Sequence, residues 1–201
     1  MHRAKQQKLL GSTPTAAIDA TGLDSQYKSH YFCMRAGRQS EWSHFVKLTA
    51  VCDTRSQLIL SAQVDRGPSN DSPQFPGCIC RAASRTKIRR VLADAAYDCE
   101  DHHRLCREQL KIPESIIPTR KRNSNRWPRT PYRREMKRAF PKELYGQRWQ
   151  SESTFSRFKR RLSSSLSSCR WDTQVQQALL RVLTYDLMIV LFCTLKSLSL
   201  N

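Results

Sequence analysis

Five short apolar runs of the kind that form buried strands occupy the first 118 residues, and they constrain the fold more than any other feature of the sequence. Each run is rich in apolar or β-branched residues and is bounded by turn-forming residues, which is typical of strands rather than helices. The runs are Ala16–Thr21, His44–Cys52, Leu58–Val64, Arg90–Asp94 and Ser115–Pro118. Only the turn Thr54–Gln57 separates the second run from the third, so this pair predicts an antiparallel hairpin.

Helical segments alternate with the later strands and then dominate the C-terminal part of the chain. The predicted helices cover Ile79–Thr86, Cys99–Gln109 with Asp98 as its cap, a long segment from after Pro141 to about Leu162, and Thr173–Leu195. Strands followed by this alternation favour an α/β domain, with a mixed sheet flanked by α-helices.

The last of these helices contains the longest apolar stretch of the chain, and its character bears on where the protein acts. Arg181 and Asp186 interrupt the stretch, so we expect a buried helix that is too short and too charged to cross a bilayer. The N-terminus lacks the apolar segment of a signal peptide. These features predict a cytoplasmic protein with no membrane partner, whose 8 cysteines are reduced thiols.

The charge balance of the chain restricts its partners. The 201 residues include 35 Lys and Arg against 17 Asp and Glu, which gives a formal net charge of +18. Such an excess indicates a polyanionic partner, and nucleic acid is the first candidate, with a ribosomal or membrane-surface protein as the alternative. The length suits one domain, preceded by a basic tail over residues 1–13.

Three carboxylates stand at positions where chemistry is a better explanation than solvation. Asp19 lies inside an apolar strand, Asp94 ends another, and Glu152 lies on the long polar helix. A carboxylate in an apolar strand is costly to bury unless it is paired or binds a metal. Two such strands and a helical Glu form an oxygen-only donor set suited to Mg²⁺. For any single acid, a surface or strand-end carboxylate is the commoner explanation.

Glu152 shares its helix with three further polar residues at helical spacing. Tyr145, Arg148, Glu152 and Lys159 follow at steps of three, four and seven residues, which places all four within roughly 60° of one helix face. Arg and Lys bind phosphate, and Tyr can stack on a base or hydrogen-bond a phosphate. The alternative is a solvated helix face with ion pairs at helical spacing.

These residues resemble the Tyr-Arg-Glu-Lys signature of DDE transposases of the insertion-sequence type, with all four spacings matched. The segments around Asp19 (Ile18–Gly22) and Asp94 (Leu92–Asp98) resemble the first-Asp and second-Asp motifs of the same family. The resemblance extends over roughly residues 14–195 and implies a ribonuclease H-like fold. The stretch between Asp94 and Glu152 is too short for the β-domain that some members insert there, which points to the compact type.

The resemblance also implies an activity, cleavage of double-stranded DNA at transposon ends followed by strand transfer into target DNA. Asp19, Asp94 and Glu152 would be the catalytic ligands of two Mg²⁺ ions, with Mn²⁺ as a substitute. Arg148 and Lys159 would contact DNA phosphate, and Tyr145 would position DNA or Arg148. The family cuts as dimers, so a homodimer on DNA is expected.

A basic segment over residues 119–140 predicts a DNA-contacting loop in which aromatic side chains are interleaved with cations. The residues expected to contact DNA there are Arg120, Lys121, Arg122, Arg126 and Trp127. The alternative is a basic linker without a fixed partner. A zinc site built from Cys99, His102, His103 and Cys106 with Cys78 and Cys80 is a weaker possibility than core-facing thiols, because structural zinc motifs usually close on a turn with paired cysteines.

Two other functions remain open from the sequence. Only about a dozen residues precede the first strand, whereas family members carry an N-terminal region that binds transposon ends. A truncated, catalytically inactive remnant that only binds DNA is therefore the alternative. A stand-alone ribonuclease H-like nuclease is the third hypothesis, and the Tyr-Arg-Glu-Lys face argues against it.

Overall fold

The computed structural model describes residues 4, 6, 9–25, 45–120 and 127–198. Its strands are β1 (Thr15–Ser25), β2 (Val46–Asp53), β3 (Ile59–Arg66), β4 (Arg90–Leu92), β5 (Glu114–Ile116) and β6 (Ser165–Leu166). They form a six-stranded mixed sheet with the order β3-β2-β1-β4-β5, and β6 pairs with the end of β1. β1, β2 and β3 are antiparallel, whereas β4 and β5 run parallel to β1.

The helices cover both faces of this sheet. They are α1 (Phe75–Arg85), α2 (Glu100–Arg104), α3 (Pro131–Arg138), α4 (Lys142–Tyr145), α5 (Trp149–Leu162) and α6 (Trp171–Leu198). α1 packs over β3 and β2, and its Phe75 and Ile79 belong to the same buried cluster as Ile18 of β1. Alternate strand residues face the opposite side, where α3 packs on Ala17 and where α5 and α6 pack on Leu48. The predicted α/β architecture is thereby confirmed.

The first helix begins earlier than the sequence indicated, at Phe75 rather than Ile79. Pro73 and Pro76 lie in the first turns of a 3₁₀ turn and of α1, where a backbone N–H has no helical partner to lose. The prolines therefore start the helix instead of breaking it.

The predicted capping of the second helix by Asp98 is wrong. Cys99 is the N-cap residue of α2 and makes no side-chain cap hydrogen bond. The carboxylate of Asp98 instead accepts two hydrogen bonds from the guanidinium of Arg133, at 2.6 and 2.8 Å, and one from the backbone N–H of Arg120 at 2.9 Å. Asp98 thus anchors the basic segment to the body of the domain.

The basic segment predicted as a loop contains a helix, because residues 131–138 form α3 with Pro131 in its first turn. Its first N–H groups are capped by the carboxylate of Glu100, which accepts hydrogen bonds from the N–H groups of Tyr132 and Arg133 at 3.1 Å each. The long helix predicted after Pro141 is also divided. A 3₁₀ turn, Gly146–Arg148, separates α4 from α5.

The prediction that the last helix is buried is wrong. Its outer side presents an uncharged row of large apolar side chains that are 42 to 65% exposed, and we call this row the apolar stripe. The apolar stripe consists of Leu179, Leu180, Leu183, Leu187, Leu191, Phe192 and Leu195. The inner side packs on the sheet through Ala178 and Tyr185.

The expectation that this segment is too short and too charged to cross a membrane is also wrong. By length and composition alone, Trp171–Leu195 is long and apolar enough to do so, and only 11% of its most apolar window is buried. The charged residues of this segment, Asp172, Arg181 and Asp186, do not prevent this, since its most apolar 18-residue window keeps a high mean hydropathy.

Candidate active site

Asp19 lies near the middle of β1, the central strand of the sheet, and faces α5. Its carboxylate accepts a hydrogen bond from the N–H of Ala20 at 2.9 Å and lies 3.2 Å from the hydroxyl of Ser151. Burial raises the pKa of the Asp19 carboxyl, and the nearby charge of Asp94 adds to the rise. The hydrogen bond from Ala20 and the guanidinium of Arg148 oppose it. Asp19 is therefore a partly buried acid whose charged form needs a cation beside it.

Asp94 lies two residues beyond the end of β4, and the register of β4 against β1 brings it to the level of Asp19. In the parallel pairing of β1 with β4, Ala17 is opposite Leu92, so residues two positions further on along both strands are neighbours and point to the same face. The Asp94 carboxylate accepts a hydrogen bond from the N–H of Ala96 at 2.8 Å and so caps the 3₁₀ turn Ala95–Tyr97. This bond fixes the carboxylate at the end of the strand.

Arg148 joins the sheet to the start of α5. Its guanidinium lies 3.3 Å from the carboxylate of Asp19 and 2.5 Å from that of Glu152. The 3₁₀ turn Gly146–Arg148 precedes α5 directly, so the side chain of Arg148 can reach back to β1 while Glu152 lies one helical turn further on. The cation thereby bridges two of the three acids that the sequence singled out.

Tyr145 lies beside this ion-paired group. Its ring packs edge-on against Phe140, with centroids 4.9 Å apart, and the guanidinium carbon of Arg148 lies 6.0 Å from the ring centroid. Burial raises the pKa of the Tyr145 hydroxyl. Lys159 lies two turns beyond Glu152 on α5, about 10 Å further along the helix axis. Arg148 therefore links Asp19 to Glu152 with Tyr145 beside its guanidinium, whereas Lys159 is more distant.

A divalent cation fits the donor types at this site. Asp19, Asp94 and Glu152 offer only carboxylate oxygens, the ligands that Mg²⁺ prefers. Among the residues that the structure describes, however, no three His, Cys, Asp or Glu side chains are close enough together to hold a metal ion. The guanidinium of Arg148 lies where it neutralises Asp19 and Glu152, so it serves as the counter-charge for two of the donors.

The basic segment is described only in part. Lys121, Arg122 and Arg126 lie outside the described residues, and Trp127 is exposed. The guanidinium of Arg120 donates to the carbonyls of Ala95 and Ala96, at 2.8 and 2.5 Å. Arg120 therefore stabilises the turn that follows Asp94, a role that its place in a run of cations did not indicate.

A groove next to Glu152 was missed by the sequence reasoning. It has a volume of about 370 Å³ and lies between the outer face of α5 and the turn before β3. Its lining residues are Gln57, Trp149, Glu152, Ser153, Ser156, Arg157 and Arg160. The helical spacing of Trp149, Ser153, Ser156 and Arg160 is visible in the sequence, but nothing in it shows that the turn carrying Gln57 closes the groove. Ser151 was also missed, although it lies three residues after Arg148.

Comparison with known proteins identifies the family. Residues 11–187, most of the chain, match the model of the transposase DDE domain. The chain belongs to the transposase DDE domain family. A comparison with curated proteins gives no match.

The fold also resembles that of a solved transposase. A piggyBac transposase in a synaptic complex with hairpin DNA superimposes with a TM-score of 0.53 at 9% sequence identity, over 88% of this chain and 46% of that one. At this identity the similarity concerns the fold alone, and it agrees with a ribonuclease H-like sheet for this DDE domain. The chain spans less than half the length of that transposase.

Proposed function

We propose that this DDE domain catalyses metal-dependent DNA cleavage at transposon ends and the strand transfer that follows. The observation that supports this most is the meeting of Asp19, Arg148 and Glu152, with Asp94 at the same level on the neighbouring strand. These residues come from β1, the end of β4 and the start of α5, which are distant in sequence. A structural ion pair would need only Arg148 and one carboxylate, so the gathering of three acids around it supports a functional site.

Asp19, Asp94 and Glu152 are the proposed ligands of two Mg²⁺ ions, which Mn²⁺ can replace. When bound, such ions activate the attacking water or 3′-hydroxyl and stabilise the leaving oxygen of a phosphodiester. The side chains of the protein prepare the site for this cation. Burial of Asp19 beside a second carboxylate makes added positive charge favourable, and the hydrogen bond from Ala96 holds Asp94 in place.

Arg148 is proposed to serve as a counter-charge that is exchanged for substrate and metal. With neither bound, its guanidinium neutralises Asp19 and Glu152. A metal ion held by these carboxylates would leave the guanidinium of Arg148 free to bind a DNA phosphate bidentately. Tyr145 packs beside it and limits the directions in which it can turn. Lys159 extends the phosphate-binding surface along α5.

Double-stranded DNA is the proposed substrate, and two surfaces next to the acids suit it. One is the groove along α5 with Arg157 and Arg160, where the exposed ring of Trp149 can stack on a base. The other is the basic segment held by Asp98 and Glu100, to which Lys121, Arg122, Arg126 and Trp127 are assigned as DNA contacts. Arg120 contributes by holding the turn after Asp94. The net charge of +18 favours both surfaces.

We further propose that the domain is of the compact insertion-sequence type and acts as a homodimer on DNA. The described elements between Asp94 and Glu152 are α2, β5, α3 and α4 with their short turns, and they cover the sheet edge and the site. We propose from the short spacing between Asp94 and Glu152 that the domain carries no inserted β-domain.

The decisive experiment is nicking of a supercoiled plasmid by the purified chain with Mg²⁺ or Mn²⁺. Asp94→Asn removes a ligand charge but keeps an oxygen that can cap the turn, so nicking should fall by at least about 100-fold. Asp101→Asn is the matched control, since Asp101 is an exposed carboxylate on α2, and it should nick like the unchanged protein. Equal nicking by Asp94→Asn would exclude the proposed site.

Arg148→Gln gives a second readout that does not depend on nicking. Without the guanidinium of Arg148, Mn²⁺ no longer competes with it for the carboxylates of Asp19 and Glu152, so calorimetry should show tighter Mn²⁺ binding. Plasmid nicking should fall, because a proposed phosphate contact is lost. Arg104→Gln, which removes a guanidinium from an exposed pair with Glu108, should change neither quantity. Weaker Mn²⁺ binding by Arg148→Gln would contradict the exchange of Arg148 for metal.

A further inference from the structure

A cavity that the proposed DNA chemistry does not use lies at the amino ends of β4 and β5. Its volume is about 410 Å³, which is within the range of sites that hold small molecules. Residues 83–88, at the end of α1 and just after it, line one side, and residues 110–112, before β5, line the other. Six residues of nearly extended chain separate Ile88 from Asp94, a distance of about 20 Å. The cavity is therefore remote from the proposed metal ligands.

Three cations line this cavity, and none of the described residues that line it is acidic. The guanidinium of Arg85 is held in place because it donates to the carbonyl of Leu60 at 2.7 Å. Lys87 and Lys111 are exposed. Among the ion pairs of the described residues, neither ammonium has a carboxylate partner. Positive charge that no acid offsets makes an anion the natural complement of the cavity.

The end of a helix explains one of these cations but not the other two. Arg85 lies in the last turn of α1, where a cation offsets the partial negative charge of the helix end. Lys87 and Lys111 lie beyond the helices, on the segments that lead to the strands. The helix end before Lys111 is already closed, since the carbonyl of Cys106 accepts from the N–H of Ile112 at 2.8 Å. The two lysines therefore need another explanation.

The backbone at Lys111 supports a role for its side chain. Its φ is 53°, in the left-handed region. Helices often end in this conformation, but glycine or asparagine usually takes it, because other side chains are strained there. The segment just before it, Leu105–Gln109, is π-helical, a rare form that recurs at functional sites. A lysine kept at a strained position beside such a segment favours a binding function for its ammonium group.

The floor of the cavity is apolar, which restricts the kind of anion that fits. Ile88 and Ile112 are only 3 and 2% exposed, and Leu110 packs against the same core cluster. A bare phosphate would use the cations and leave this floor in contact with water. A phosphate attached to a flat, largely apolar group would use both.

We propose that this cavity binds a free nucleoside diphosphate. Its phosphates contact Arg85, Lys87 and Lys111, and its base covers the apolar floor. The two phosphates carry a charge of about −3 near neutral pH, which the three cations match. Duplex DNA fits less well, because a hollow of this volume encloses a small molecule, whereas a duplex is bound along an open surface by a row of phosphate contacts.

The test is isothermal titration calorimetry of the whole chain with ADP, in about 0.15 M KCl with EDTA and without DNA. ADP should bind at one site per chain, and pyrophosphate at least about 10-fold more weakly, because it lacks the nucleoside that covers the floor. Lys87→Gln with Lys111→Gln should weaken ADP binding at least about 30-fold, since two charged contacts are lost. Lys142→Gln with Arg170→Gln removes the same charges from exposed positions outside the cavity and should bind ADP normally.

Lys111→Gly separates binding from folding. It relieves the left-handed strain, so the protein should unfold at no lower temperature, while ADP should bind about 5-fold more weakly or worse. Trp149→Ala, in the groove on α5, should leave ADP binding unchanged, and a loss there would place the nucleotide in that groove and overturn the inference.

Three further outcomes would also overturn it. ADP binding that survives the Lys87 and Lys111 changes would exclude the cavity, and no binding at this salt would reduce the cations to a general attraction for polyanions. Pyrophosphate that binds as tightly as ADP would exclude a nucleotide as the ligand. Displacement of ADP by a short blunt duplex would assign the cavity to DNA instead. Because the first titrations contain neither metal nor DNA, their outcome is independent of the proposed catalysis.

Discussion

α5 and α6 pack side by side on one face of the sheet, yet they differ in what they present outward. Their inner faces are alike, and the rings of Phe158 on α5 and Tyr185 on α6 meet edge-on with centroids 5.8 Å apart. Outward, α5 presents Glu152, Arg157 and Arg160 along a groove. α6 presents the uncharged apolar stripe.

This difference shows that the residues on the inner face of a helix are set by folding, whereas those on its outer face are set by what the surface binds. The inner faces supply burial, which drives folding, and each helix contributes a fully buried aromatic ring, Phe158 on α5 and Tyr185 on α6. Exposed residues contribute little to the free energy of folding, so their composition reflects what the surface binds. By this reasoning the charged outer face of α5 fits the proposed DNA surface, whereas the uncharged stripe of α6 does not.

The largest expected effect separates the inner from the outer faces. Phe158 is fully buried in the cluster between α5 and α6, so Phe158→Ala should lower the free energy of unfolding by about 3–5 kcal/mol. Leu187→Ala, on the outer face of α6, should change it by no more than ~0.5 kcal/mol. Urea denaturation at protein concentrations low enough to avoid dimers measures both, and equal losses would erase the distinction.

A second prediction concerns the link between α6 and the edge strand of the sheet. Burial raises the pKa of Asp186 to about 7, and the hydrogen bond from Ile59 opposes the rise. Between the ordinary pKa of 3.8 and about 7, the folded protein keeps a proton that the unfolded chain has lost. The stability of the unchanged protein should therefore fall as the pH rises through this window.

Asp186→Asn removes this charge and keeps an oxygen to accept from Ile59. The variant should be more stable than the unchanged protein by up to about 4 kcal/mol at pH 8, with a difference that vanishes near pH 4. Asp172→Asn, at the exposed start of the same helix, should show no such trend in denaturation curves recorded across this range. If the free energies of unfolding of Asp186→Asn and the unchanged protein differed by the same amount at every pH, the prediction would be wrong, because Asp186 would then ionise in the folded protein without loss of stability.

The smallest expected effect concerns the outer face of α5. Removing two phosphate contacts with Arg157→Gln and Arg160→Gln should weaken binding to a duplex only several-fold, and should reduce the slope of log affinity against log salt by about 2. Leu183→Gln on the outer face of α6 should leave the slope unchanged. Fluorescence anisotropy over a range of salt concentrations measures this, and an unaltered slope in the Arg double variant would remove the groove from the DNA surface.

Much of the fold could be predicted because its determinants are local. The apolar runs around Asp19 and Asp94 and the turn before Leu58 are visible in a few residues each, and the strand order along the chain follows from them. The helix over residues 131–138 was missed because Pro131 suggested a loop, although a proline in the first turn favours a helix start. Its anchoring by Asp98 and Glu100 depends on residues some 30 positions away, which spacing alone cannot show.

The sequence by itself determined the α/β class, the order of the three acids along the chain, and the spacing that places Arg148 one turn before Glu152, since these rest on local pattern. Only the tertiary structure decided that Arg148 bridges Asp19 and Glu152, since that contact joins residues more than a hundred positions apart. The tertiary structure also decided which side of α6 remains exposed, because an apolar helix presents the same pattern whether it is enclosed or left open. The packing of one side of α6 against the sheet therefore decides which of its leucines are exposed.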